Sequence, residues 1–112
     1  MFPVAKSSKK ALICGAIVSE RDKDEFRDHV QENATRAGKI KELEVDRLPD
    51  YFLLPELRNQ NLVVLAATVV FKEAVDASKF KQEFNGTMFK KTSAMEVMII
   101  HESLSIKVSF YF

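Results

Sequence analysis

Residues 62–71 read LVVLAATVVF, ten residues with no charge, glycine or proline, and this run constrains the fold more than any other. It is too short to span a bilayer, which takes about 20 apolar residues. It is rich in the β-branched side chains that suit a pleated surface. Leu62–Phe71 is therefore expected to be a central β-strand. A second apolar run, Ala11–Val18, also has strand length and ends in a charged cluster. Its β-branched residues are only Ile13, Ile17 and Val18, which leaves a helix open, but a strand buried on both faces is the expected form.

Helical patterns follow each run. Over residues 22–37, Phe26, Val30, Ala34 and Ala37 make one apolar stripe, as in an amphipathic helix. Asp22 and Glu25 have capping-box spacing. Glu32 and Arg36 are ordered for an i,i+4 pair, and Gly38 stands where a left-handed C′ residue is wanted. Residues 40–47 alternate, with Ile40, Leu43 and Val45 among charged neighbours, and predict a half-exposed strand. Residues 48–61, with Pro49 and Pro55, form a connection made apolar by Tyr51, Phe52, Leu53 and Leu54. A shorter helix is expected over 76–85, capped by Asp76, stapled by Val75 against Phe80, and ended by Gly86.

Residues 95–101 are apolar on both parities and predict a buried strand. Leu104, Ile106, Val108, Phe110 and Phe112 then alternate with Ser105, Lys107, Ser109 and Tyr111, the pattern of a half-exposed strand. Glu102 and Ser103 hold a tight turn or a bulge between the two. The order β-α-β-β-α-β matches an α+β ferredoxin-like sandwich, two helices on one face of an antiparallel sheet, here with an extra C-terminal strand. Residues 1–10 read as a flexible basic arm and 11–112 as one domain, which 112 residues allow.

The net charge is +1, so no overall field draws the chain to nucleic acid or an anionic membrane. One cysteine, Cys14, excludes an intrachain disulfide and points to a reducing, cytoplasmic location. Lys6, Lys9 and Lys10 ahead of an apolar run imitate a signal peptide, but the run is short and no small-residue cleavage site follows it. No membrane partner is expected.

Sites for chemistry are scarce. His29, His101 and Cys14 are scattered, without metal-ligand spacing. His29 reads as a solvated helix residue, and the neighbours His101 and Glu102 point to opposite faces if extended. Cys14 sits in an apolar run, where an inert thiol is expected. The glycines at 15, 38 and 86 form no phosphate loop. Neither catalytic residue, metal nor cofactor is expected, and the chain reads as no enzyme. A small dimeric α+β-barrel enzyme is a third reading, with His101, Tyr51 and Asp50 as its candidate polar groups.

Two binding surfaces stand out. The expected main function is a non-catalytic protein-interaction or assembly module, an adaptor, inhibitor or structural component, self-associating through its sheet. Its contact residues would be Tyr51, Phe52 and Leu54 with Phe110, Tyr111 and Phe112, because an unguarded edge strand invites pairing. The alternative is a nucleic-acid-binding domain. Lys72, Lys79, Lys81, Lys90 and Lys91 interleave with aromatic residues, of which Phe89 is the freest to stack on a base. The glycine–aromatic run of an RNA-stacking strand is absent from Leu62–Phe71.

Overall fold

The computed structural model describes residues 8–49, 52–58, 60–90 and 94–106. Its elements in chain order are β1 (Lys10–Ser19), α1 (Lys23–Ala37), β2 (Ile40–Arg47), β3 (Leu62–Phe71), α2 (Ala74–Phe84) and β4 (Glu96–Ile100). The strands form one antiparallel sheet in the order β2-β3-β1-β4. This is the expected ferredoxin-like arrangement, with the two apolar runs, β1 and β3, at its centre.

Central strands are covered on both faces, which explains their unbroken apolar character. On one face Ala11, Ile13, Ala16 and Val18 of β1 join Val63, Leu65, Ala67, Val69 and Phe71 of β3 beneath the helices. Phe26, Val30, Ala34 and Ala37 supply the α1 stripe, and Ala77, Phe80 and Phe84 that of α2. Phe80 stacks on Phe84 with ring centroids 4.9 Å apart, and Phe71 tilts against Phe80 at 5.6 Å. On the opposite face Leu12, Val64, Ala66 and Ile100 lie under Leu48, Leu53 and Ile106, all buried. The chain thus folds its own β2–β3 connection and the segment after β4 across the back of the sheet.

Gly15 makes this two-sided burial possible. The register of β1 on β3 slips between Ile13 and Ala16, a bulge that lets even residues before it and odd residues after it share the back face. Gly15 has φ +98°, and a Cβ there would lie 3.1 Å from the Ala94 carbonyl oxygen. A side chain fits neither constraint.

Several local expectations are corrected. Asp22 is the N-cap of α1 but makes no capping hydrogen bond; Asp22 and Glu25 both bind the Lys90 ammonium instead. The Glu32–Arg36 pair forms at 2.9 Å. Gly38 is extended, at φ 171°, rather than left-handed. What requires a glycine there is close approach, since a Cβ would come within 2.6 Å of the Asp76 side chain. α2 starts at Ala74, two residues early, so Glu73 is its N-cap, and Val75 is 71% exposed and staples nothing. His29 is half-buried, its ring 5.2 Å from that of Phe89 and 5.6 Å from that of Phe84, and is not a solvated helix residue.

At the C-terminal end, Glu102 and Ser103 form a turn in which the Leu104 amide donates to the His101 carbonyl at 3.0 Å. Leu104–Ile106 does not form the expected strand but lies against the back face. The remainder of the expected last strand, 107–112, lies outside the described residues, as do residues 1–7 of the expected arm. Ser8 and Lys10 are buried; the Ser8 hydroxyl donates to the Ile100 carbonyl and the Lys10 ammonium to the Leu104 carbonyl.

Candidate nucleic-acid interface

The sheet topology gathers lysines that are far apart in sequence. The Phe71 amide donates to the Lys9 carbonyl at 2.8 Å, and the Lys72 amide to the Lys39 carbonyl at 3.0 Å. These bonds tie the start of β1, the end of β3 and the start of β2 together at one end of the sheet. Lys9, Lys41 and Lys72 line a cleft of about 620 Å³ there, with Glu42, Glu73 and Glu102 between them. All three lysines are exposed. The acids keep the net charge of this end low, so any anion held here is held weakly.

Two residues beyond Glu73 a second groove begins. Val75, Ser78, Lys79, Lys81 and Gln82 of α2 face Ile99 of β4 across about 990 Å³. Among the described residues no carboxylate lines it. Ile100 pairs with Lys10 in the sheet, so the Ile99 end of this groove adjoins the Lys9 end of the cleft. The five lysines run in a band from β2 across this end of the sheet to α2. Among the described residues none of the five is in an ion pair, whereas Arg36, Arg47 and Lys90 each meet a carboxylate.

The nucleic-acid residues expected from sequence are therefore divided. Lys72, Lys79 and Lys81 belong to the band. Phe89 is buried, edge-on to Phe26 at 5.6 Å, and offers no stacking surface. Lys90, in the left-handed region at φ 52°, is turned back onto Asp22 and Glu25, and its pKa is raised, chiefly by the hydrogen bond to Glu25. Lys91 lies outside the described residues. Lys41, in an alternating strand, was outside that expectation, and Lys9 was one of the lysines of the expected arm. The signal that unites them with Lys72 is strand register, which periodicity does not carry.

Of the expected assembly surface, Phe52 and Leu54 are exposed and the intervening Leu53 is buried; Tyr51, Phe110, Tyr111 and Phe112 lie outside the described residues. Of the groups considered for catalysis, Asp50 and Tyr51 also lie outside them. His101 is exposed, its Nδ1 2.7 Å from the Ser103 hydroxyl and accepting from the Ser103 amide at 3.1 Å. Burial, with Glu96 opposite, raises the Cys14 pKa from 9.0 to about 12. Among the described residues no three His, Cys, Asp or Glu side chains come together as a metal site, and no helix is long and apolar enough to cross a membrane.

No protein-family model matches the sequence, and no curated protein does. Solved structures do match. Pes4 RRM3 superposes with a TM-score of 0.59 at 16% identity, over 87% of this chain and 96% of its own. Mip6 RRM3 gives 0.55 at 20%, over 85% and 94%. The Rna15 RRM with bound GU RNA gives 0.57 at 12%, over 91% and 93%. The shared property is the fold, and these neighbours are RNA recognition motif domains, not enzymes. They overturn the expected main reading, an assembly module self-associating through its sheet.

Proposed function

We propose that this domain binds single-stranded RNA through the backbone phosphates, along the band formed by Lys9, Lys41, Lys72, Lys79 and Lys81. The observation that carries the reading is this band of lysines, ion-pair-free among the described residues, on a fold whose solved neighbours are RNA recognition motif domains, two of them solved with RNA. In such domains aromatic side chains on the sheet stack on bases. Here the corresponding back-face positions of β1 and β3 are Leu12, Cys14, Val64 and Ala66, lying among the residues of the covered face. Glu42 and Glu44 are exposed on β2. Stacking on the sheet is replaced by charge at its end and along α2. Binding of this kind is weak, tolerant of sequence and strongly dependent on salt.

Fluorescence anisotropy with a labelled single-stranded RNA tests it. For single strands, log K falls against log[salt] with a slope of about −0.7 per neutralised phosphate. Replacing Lys9, Lys41 and Lys72 together by glutamine should reduce the slope by about 2. Lys90→Gln, which removes a lysine already paired with two acids, should leave the slope unchanged. A wild-type protein that binds no RNA at about 50 mM salt, or a triple variant with the wild-type slope, would refute the reading.

A further inference from the structure

We infer that the groove between α2 and β4 receives one unstacked nucleobase of the bound strand; the inference rests on the RNA-binding reading and adds to it a site that reads a base. The edge of β4 supplies the first argument. The Val97 amide donates to the Asn85 side-chain oxygen at 2.8 Å, so it points away from β1. Met95 uses its outward groups on the loop after α2, its carbonyl accepting from Gly86 and its amide donating to Thr87, both at 2.8 Å. Strand geometry repeats every two residues. The amide and carbonyl of Ile99 therefore also point outward, into the groove that Ile99 lines. They form a donor–acceptor pair from one residue, the complement of the adjacent acceptor and donor on a base edge.

The rest of the lining fits the same occupant. Val75 and Ile99 provide apolar surface for the face of a ring, the Gln82 amide a further polar contact, and Lys79 and Lys81 the charge for flanking phosphates. The absence of a carboxylate from the lining favours an anionic strand. An added peptide strand would compete for the same edge, but residues 85–87 already occupy it from Met95, just before β4, to Val97. What is left open at Ile99 is too short for a ladder and long enough for one base.

Val75→Trp fills the groove at an exposed position and removes no charge. Anisotropy with labelled RNA homopolymers, and the Ile99 amide resonance during titration with mononucleotides, read the site. The expected result is an Ile99 shift in the wild-type protein. With Val75→Trp the shift should be lost and RNA affinity should fall about tenfold at an unchanged salt slope. Lys72→Gln should lower the slope and keep the Ile99 shift. If Val75→Trp binds RNA as the wild type does and Ile99 never responds, the groove holds no base while the lysine band stands. If Ile99 responds to an acidic peptide and not to nucleotides, the groove is a peptide site. If the wild type binds no RNA at low salt, both proposals fall together.

Discussion

Cys14 shows what burial does to a single group. It lies on the back face of β1, opposite Glu96, and its thiol ionises at about 12 instead of 9.0, mainly through burial and secondarily through the Glu96 carboxylate. Above pH 9 the unfolded chain has released a proton that the native chain retains, so stability falls as pH rises. The loss is at most about 1.4 kcal/mol per pH unit, and it spans the interval between the two values. Lysines also titrate there, so the informative quantity is the difference from Cys14→Ala. The urea midpoint of the wild type should fall more steeply between pH 9 and about 11 than that of the variant. The same shift slows alkylation. At pH 8 iodoacetamide should modify Cys14 about thirty- to a hundredfold more slowly than a free thiol, the lost thiolate being partly offset by its greater nucleophilicity. A rate like that of free cysteine would mean that the back face is open.

At the scale of elements, the bulge at Gly15 and the segment at Ile106 hold the second core together. Gly15→Ala places a side chain at φ +98° and 3.1 Å from the Ala94 oxygen. It should cost about 1–3 kcal/mol in urea unfolding. Ile106 is fully buried against Leu12 and Ile100, and Ile106→Ala should cost about 2–4 kcal/mol. A cost below about 0.5 kcal/mol would show that the segment lies loosely on the sheet. These elements also show how far the sequence could be read. β2 and β3 begin and end where their periodicity places them, because alternation and an apolar run are local signals. The α1 stripe was equally legible. The capping box was not, because a distant lysine in a left-handed turn competes for both carboxylates. At 104–106 no strand forms, for a related reason. Alternation at 104–106 records apolar residues that need burial, and packing across a face satisfies that need as well as pairing does. The lysine band was half legible: Lys72, Lys79 and Lys81 lie close together in the sequence, whereas Lys9 and Lys41 join them only through register.

For the whole molecule, the two faces of the sheet limit where RNA can lie. The helices cover one face. The other is covered by Leu48, Leu53 and Ile106, and exposed Glu42, Glu44 and Glu96 stand on the two edge strands. A strand of RNA crossing that face would have to displace a packed apolar layer and bring phosphates toward carboxylates, two costs that no aromatic platform among the described residues offsets. The end of the sheet and α2 impose neither cost. Cys14 and the backbone amides therefore discriminate between the paths. On titration with single-stranded RNA, the shifted amides should be those around Lys9, Lys41, Lys72 and the α2 groove, while those of Leu12, Val64 and Ala66 stay in place. Saturating RNA should leave the alkylation rate of Cys14 unchanged. Should RNA instead protect Cys14 and move Ala66, the segment bearing Ile106 has lifted and bases have reached the sheet. The Ile106→Ala variant would then bind RNA more tightly than the wild type, because part of the work of opening would already be done. With the path at the sheet end, Ile106→Ala should lose stability and keep its RNA affinity, so the two measurements on one variant separate a structural cover from a gate.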